Sequence, residues 1–395
     1  MSTSTGHFLR AVELESFRSF RKASVPLGPL TVLVGPNGAG KSNFLMVIRF
    51  LSATARLDLE EAIQLFGGFE RLCFRGTAAR RPRFRIHLKA SVTRYASDSA
   101  LDEYTLRVEQ YPNRIARFEE FKFKRYQGRG RRIAVQGAGF SVDDGRGERH
   151  HALARSATAL STLPRLGNDH GGEQVRQLAE LLTSFRVVDI NVAHARTPAR
   201  RSQDGAFLQP DGSNLASFIE YLSNRHPQAF RQLQDDMRYV VPGFRKLELS
   251  PIGGAAEGLE IRIVEKGLPR STPLADASYG SVRALALLAI LHDPSPPQLT
   301  CIEEVDHGLH PHAMDRLVER FREATARTQL LLATHSPSLV NRLEPSELLV
   351  CERDPDTGES LLPAVDPHDV VRMREATDLG LGELWFSGAL GGGLP

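Results

Sequence analysis

The sequence predicts an α/β fold in which apolar strands feed functional loops and helices, and three stretches carry that prediction. "LTVLVGPNGAGKSNFL" (30–45) runs a β-type segment through a glycine-rich turn into a segment of helical character. "QLTCIEE" (298–304) is an apolar, β-branched run ending in two carboxylates, and "TQLLLATHSPSLV" (328–340) is a second such run ending in Thr334, His335 and Ser336. Short apolar runs of this length bounded by turn signals read as buried strands.

The 395 residues allow one large or two ordinary domains, and 41% hydrophobic content supports a sizeable core. The N-terminal "MSTSTGHFLRAVELESF" has no apolar leader, and the longest apolar stretch, "ALALLAIL" (284–291), is far too short to span a bilayer. A cytoplasmic protein without a membrane partner is expected. Cys73, Cys301 and Cys351 are isolated, with no CxxC pair, which fits reduced thiols in the core. The net charge of +3 rests mainly on arginine and does not by itself identify a phosphate-rich partner.

Residues 35–42 read GxxxxGK[ST] with a strand before and a helix after. Backbone N–H groups of residues 38–42 curl around a β-phosphate only where side chains are minimal, and the helix start that follows favours negative charge. Lys41 then reaches the β/γ-phosphates, and the Ser42 hydroxyl is placed to coordinate Mg²⁺. Such a loop needs a carboxylate strand to complete the metal shell and orient the attacking water. Side chains alternate along a strand, so Glu303 and Glu304 leave its end in different directions: Glu303 toward the metal, Glu304 toward the water. His335, ending a neighbouring strand, is placed to hydrogen-bond the γ-phosphate.

"TCIEEVDHGLHPH" (300–312) also holds three histidines. A zinc site would want histidines at i, i+4 on one helix or a second ligand cluster, and the sequence offers neither. His307, His310 and His312 follow a turn at Gly308, and Pro311 opens a helix with Met314, Leu317, Val318 and Phe321 on its core face.

The P-loop, the tandem glutamate with "GLHP", and "THSP", in that order, resemble the ABC-type ATPase heads of the RecF, SMC and OLD group. The likeness is closest to stand-alone OLD-like AAA family ATPases without a nuclease domain. It implies a P-loop NTPase fold of ABC-ATPase head type, with a mixed β-sheet core and a compact α+β insertion. The opening "FLRAVELESFRSFRKASVPLGPL" looks like that group's β-hairpin lead into the P-loop. The resemblance implies ATP and Mg²⁺ as ligands and ATP hydrolysis as the reaction. Gly35, Asn37, Gly38, Gly40, Lys41, Ser42 and Asn43 would then hold the nucleotide, Ser42 and Glu303 the metal, and Glu304 and His335 would act in catalysis.

Heads of this group also carry a signature serine that completes the partner subunit's ATP site. "LADASYGSVRALALLAIL" (274–291) is the match, with Ser278, Gly280 and Arg283 in the positions of the signature serine, second glycine and downstream basic residue. Tyr279 stands where the first glycine is usual, and Glu303 where aspartate is usual. The resemblance implies a homodimer closed through an ATP sandwich, with room for a higher oligomer. The glutamine that couples the γ-phosphate to the helical lobe stays open between Gln64 and Gln136.

The expected organisation is an N-terminal lobe over 1–140, a mainly helical insertion over 141–245, a C-terminal lobe over 246–355 and a tail over 356–395. No sustained heptads occur, so a long coiled-coil arm is not expected. "FKFKRYQGRGRR" (121–132) reads either as a grip on a nucleic-acid backbone or as an edge strand with Phe121 and Phe123 inward and lysines outward. "ARTPARRSQDG" (195–205) reads as a mobile loop, and "DPDTG" (354–358) as a hairpin turn rather than a metal site. Some sixty residues follow the His335 strand, fewer than the about 100 that a further nuclease domain needs. Trp385 in the tail is expected to dock on the head or on a partner.

Two functions fit. One is a sensor or scaffold whose ATP-dependent dimer gates a separate effector protein, as OLD-like ATPases do in phage defence. The other is a RecF-like ATPase that clamps double-stranded DNA. The nucleotide-binding half of a membrane transporter fits poorly, because the insertion is large and the signature is altered.

Overall fold

The computed structural model describes residues 9–76, 82–112, 114–125, 130–144, 148–153, 158–165, 167, 171–200, 205–253 and 258–391. The chain opens with the expected hairpin, β1 (Leu9–Phe17) and β2 (Phe20–Pro26), then β3 (Leu30–Val34) and α1 (Lys41–Thr54). There follow α2 (Leu59–Leu65), α3 (Phe69–Leu72), β4 (Arg83–Ala90), β5 (Asp102–Tyr111), β6 (Arg114–Phe123), β7 (Arg131–Gln136), β8 (Gly139–Asp143) and β9 (Glu148–Ala152). The middle holds α4 (Ala159–Thr162), α5 (Gly172–Ser184), β10 (Arg186–Val188), α6 (Val192–Ala195), α7 (Leu215–Arg225) and α8 (Pro227–Val240). Next come β11 (Phe244–Ile252), β12 (Gly258–Glu265), β13 (Thr272–Pro273), α9 (Tyr279–Leu291), β14 (Leu299–Ile302), α10 (Pro311–Ala324) and β15 (Gln329–Thr334). The chain closes with α11 (Pro337–Val340), β16 (Leu348–Val350), β17 (Glu352–Arg353), β18 (Ser360–Leu361), α12 (Pro367–Glu375) and α13 (Leu381–Phe386).

The two largest sheets are a parallel one, ordered β10-β14-β15-β3-β16, and an antiparallel one, ordered β2-β1-β4-β5-β6-β7-β8-β9; β11-β12-β13 and β17-β18 form two smaller sheets. Every residue of β3, β14, β15 and β16 is buried, which is why these strands read as unbroken apolar runs. Their alternate side chains feed two cores. Leu33, Cys301, Leu331 and Ala333 face α1, α5 and the antiparallel sheet; Val32, Val34, Ile302 and Leu332 face α7 to α10 and the tail. The buried Gln329 amide ties the first strand to the parallel sheet, accepting from Leu9 N at 3.1 Å and donating to the carbonyls of Leu9 and Gly28 at 2.7 and 2.8 Å.

Several expectations shift. The antiparallel sheet runs past residue 140, because β8 and β9 extend it, and β10 lies within the stretch expected to be mainly helical. Three residues, Arg186 to Val188, are too few to show a strand period, yet they supply a strand of the central sheet. The basic stretch is not an edge: β6 lies between β5 and β7, with Phe121 and Phe123 buried as expected. Two of its charges are matched across strands, Lys122 to Glu103 at 3.1 Å and Arg132 to Glu120 at 2.6 Å. Gly128 and Arg129 lie outside the described residues. In the stretch expected to be a mobile loop, buried Ala199 exchanges both backbone bonds with Leu259, at 3.0 and 2.8 Å; residues 201–204 lie outside the described set. The "DPDTG" turn joins β17 to β18, with Asp354 accepting from the amides of Asp356 and Thr357 at 3.0 and 2.8 Å. The longest helices described have 14 residues, and no described helix is long and apolar enough to cross a membrane.

Candidate nucleotide site

β14, β15 and β3 are adjacent and parallel, so the loops after them open on one side of the sheet, where open α/β sheets place their ligands. A cavity of about 160 Å³ lies there. Its walls bring together Asn37, Gly38, Gly40, Lys41, Ser42 and Asn43 from the loop after β3, Glu303 and Glu304 from that after β14, and Thr334 with His335 from the end of β15. Residues almost 300 positions apart in the sequence thus meet because β15 joins their strands edge to edge.

Gly40 caps α1 with φ 123°, and a β-carbon there would lie 2.3 Å from the Ser360 hydroxyl, so both conformation and space call for glycine. Lys41 Nζ donates to the carbonyls of Gly35 and Pro36 at 2.6 and 3.0 Å. Burial lowers the Lys41 ammonium from its ordinary value, opposed by Cys351, Asp306 and Glu304. Ser42 hydrogen-bonds the Glu303 carboxylate, and Arg49 on α1 reaches the same carboxylate at 3.1 Å. Burial raises the Glu303 carboxyl above its ordinary range, Ser42 and Arg49 oppose this, and the neighbouring carboxylates of Asp189 and Glu304 reinforce it. Ser42 and Glu303 form an oxygen-only donor pair beside the phosphate loop, the donor chemistry that suits a hard divalent cation.

Glu304 departs from strand geometry. Its φ of 47° puts it in the left-handed region, a strained backbone for a side chain of this size. The turn is closed by His307 N donating to the Glu304 carbonyl at 3.0 Å. The Thr334 hydroxyl donates to Asp306 and accepts from Ser336 N at 3.0 Å, which ties this turn to the loop that holds His335. His335 is exposed on the cavity wall.

Ser278 and Gly280 are not in this cavity. Ser278 is exposed and caps α9, its hydroxyl accepting from Ser281 N at 3.1 Å. Arg283, placed by the resemblance as a basic site residue, points into the protein and is 2% exposed. Gln64 and Gln136 line no part of the cavity either. The three histidines go separate ways: His307 bonds Glu304, His310 caps α10 by accepting from His312 N, and His312 stacks on Tyr239 at 4.7 Å.

Sequence reasoning missed Arg49, Asp189 and the rim of the site. The turn of the first hairpin brings Arg18 Nε to Asn43 Oδ1 at 2.9 Å and Ser19 Oγ to the Asn43 amide at 2.8 Å, and Ser360 closes the rim through Ser19 at 2.8 Å. The motif-like "FRSF" of that hairpin was the available signal for Arg18 and Ser19. Arg49, one helix face along from Ser42, had none.

Phosphate loop, carboxylate strand and histidine strand in this order define an ABC-type P-loop ATPase. The chain belongs to the family described as "AAA domain, putative AbiEii toxin, Type IV TA system", which matches residues 30–341. It is 48% identical over 40 residues to an OLD nuclease of Thermus scotoductus, 10% of this chain and 8% of that one. It is 40% identical over 78 residues to the chromosome partition protein Smc of Desulfitobacterium hafniense, 19% of this chain and 6% of that one. With the Nod factor export ATP-binding protein I of Rhizobium leguminosarum bv. viciae it shares 28% identity over 182 residues, 45% of this chain and 52% of the relative. The matched segments therefore span about half the length of these curated relatives, or far less. Among solved structures, an Smc head bound to the C-winged helix domain of ScpA is similar with TM-score 0.55 and 16% identity, over 90% of this chain and 97% of that one. A Pyrococcus furiosus Smc head bound to the C-terminal domain of ScpA gives TM-score 0.54 and 13% identity, over 93% and 99%. These likenesses show the ABC-ATPase head fold.

Proposed function

We propose that the chain works as an ATP-dependent homodimer that holds and releases a separate effector protein, in a phage-defence role. The observation that carries the dimer is the place of Ser278: exposed, at a helix start, and outside its own subunit's cavity. A signature serine there serves a second subunit's nucleotide. The effector reading is favoured by the pairing of two of the hairpin's cations, Lys122 and Arg132, with glutamates, which lessens their hold on a phosphate backbone.

In this reading the backbone of residues 38–42 and Lys41 bind the β- and γ-phosphates of ATP. Ser42 and Glu303 would hold Mg²⁺, which when bound neutralises phosphate charge. Glu304 accepts a proton from the attacking water, and His335 donates to the γ-phosphate. The strained turn holds Glu304 facing the cavity.

A second reading, a RecF-like clamp on double-stranded DNA, is favoured by one observation. Arg18, which bonds the cavity residue Asn43 at 2.9 Å, has its guanidinium lowered from its ordinary value by burial and by the charges of Arg75 and Arg71, so three cations gather near one side of the phosphate loop. Such a cluster suits an anionic backbone.

The test is steady-state ATP hydrolysis by wild type and Glu304→Gln, with and without linear and gapped DNA across a salt series, alongside size-exclusion chromatography with ATP. Glu304→Gln is expected to accumulate an ATP-bound dimer and to turn over slower by on the order of 10²–10⁴. Lys41→Ala is expected to lose nucleotide binding. A Glu304→Gln that binds ATP and still stays monomeric sinks the dimer, and salt-sensitive stimulation by DNA moves the conclusion to the clamp.

A further inference from the structure

The turn that carries Glu304 is packed against the first turn of α9 in the same subunit. Arg283 Nη2 donates to the carbonyls of Glu303 and Glu304 at 3.0 and 2.6 Å. Gly280 approaches the Gly308 carbonyl so closely that a β-carbon at Gly280 would stand 2.7 Å from that oxygen. The Tyr279 ring covers Gly308, where a β-carbon would fall 2.4 Å from its Cδ1, and its centroid lies 5.4 Å from that of His307. His307 Nδ1 in turn donates to Glu304 Oε2 at 3.0 Å.

The last contact is unusual for a structural bond. The Glu304 and His307 side chains are 59% and 55% exposed, and an exposed pair of this kind adds little to stability. The bond engages Oε2 of a carboxylate whose backbone is already strained and which lines the cavity.

We propose that His307 is a positioning residue for the Glu304 carboxylate, and that Tyr279 links that position to the docking of α9 on a second subunit's nucleotide. The second half rests on the dimer proposed above; the first does not. Movement of Ser278 onto a γ-phosphate shifts the first turn of α9, and the tyrosine, bulky where a glycine is usual, transmits the shift to the imidazole. A hydrogen-bonded ring under a packed ring has few ways to give, so the carboxylate turns with it.

The experiment measures kcat and KM for ATP in wild type, His307→Ala, His307→Asn and Tyr279→Ala, with Glu304→Gln and the Glu304→Gln/His307→Ala double variant beside them. His307→Ala is expected to lower kcat by about tenfold or more, because small misplacements of a reacting group are costly, and to leave KM within about twofold. Asparagine, whose amide nitrogen takes the place of Nδ1, is expected to restore most of kcat. The double variant is expected to be no slower than Glu304→Gln, since the imidazole then has no carboxylate to aim. A kcat for His307→Ala within about twofold of wild type, no recovery with asparagine, or a further loss in the double variant overturns the positioning role. Tyr279→Ala is expected to lose kcat in the same way; normal kcat there overturns the link to α9. Failure of Glu304→Gln to dimerise with ATP strikes the dimer and that link, while the His307 contrast still decides the first half.

Discussion

Arg283 and Glu304 are joined by a bond of 2.6 Å from a guanidinium 2% exposed to a backbone carbonyl in a left-handed turn. The same side chain reaches the carbonyls of Glu303 and Ile190, at 3.0 and 2.8 Å, so one arginine from α9 satisfies three acceptors just past the ends of two neighbouring strands, β14 and β10. Its fork geometry is what permits three partners at once. Arg283→Met therefore leaves buried carbonyls unpaired and is expected to cost on the order of 3 kcal/mol, read as a shift of the urea midpoint. Arg283→Lys recovers only part, since an ammonium does not span the three acceptors. Equal midpoints for wild type and Arg283→Met would show that solvent takes over the carbonyls.

The inward turn of Arg283 marks the boundary of what the sequence discloses. The loop after β3, the glutamate pair and the core face of α10 were legible because each rests on local signals: glycine spacing, an apolar run ending in two carboxylates, and a helical period over Met314, Leu317, Val318 and Phe321, all of which are buried. Arginine is read as a surface residue by default, so the inward direction of Arg283 and the whole of Arg49 escaped. β10 escaped for a different reason: in three residues nothing distinguishes a strand of a central sheet from a link between helices. The mistaken edge strand shows the same limit. Alternation in "FKFK" fixes which face is buried but not how many neighbours the strand has, and neighbours come from chain far away.

Glu303 binds Ser42 and Arg49 at once, which bears on the metal requirement. Replacing it with glutamine removes the charge and keeps the shape. Glu303→Gln is expected to raise the Mg²⁺ concentration needed for half-maximal ATP hydrolysis by about 10–100-fold. Ser42→Ala is expected to act in the same direction. If Mg²⁺ titrations of Glu303→Gln and wild type superimpose, the carboxylate is not in the metal shell and Arg49 is its principal partner.

Asp236 ties α8 to α9 and α10, and none of the residues involved lines the cavity. His292 Nε2 donates to it at 2.7 Å, and Arg320 and Arg316 approach at 2.8 and 3.3 Å. Burial pushes this carboxyl up, but the His292 bond and the Arg320 charge outweigh it, so it lies below its ordinary value. A carboxyl depressed in the folded protein contributes stability above its ordinary range, near pH 4, and loses it as pH falls through the depressed value. Asp236→Asn is expected to destabilise by about 3–5 kcal/mol at pH 7, as breaking a buried ion pair does. The gap to wild type should close below about pH 4 in urea unfolding at stepped pH. A gap that stays constant with pH would assign the loss to packing.

The tail answers to the histidine loop. α13 packs on α11, the short helix capped by Ser336 immediately after His335. Gly382 N donates to Asn341 Oδ1 at 2.7 Å, and a β-carbon at Gly382 would stand 2.2 Å from the Pro337 carbonyl, so the two helices touch backbone to backbone. Trp385, 6% exposed, fills the core beneath them. Trp385→Ala is expected to cost about 3–5 kcal/mol where the cavity cannot collapse. If the tail braces the loop, the cost appears locally first: amides of residues 339–343 should exchange hydrogen faster in the variant while the central strands keep their protection. His335 would then lose its fixed position, and kcat should fall with little change in nucleotide affinity. Uniformly faster exchange across the chain would instead make Trp385 a part of the global core, with no particular hold on His335.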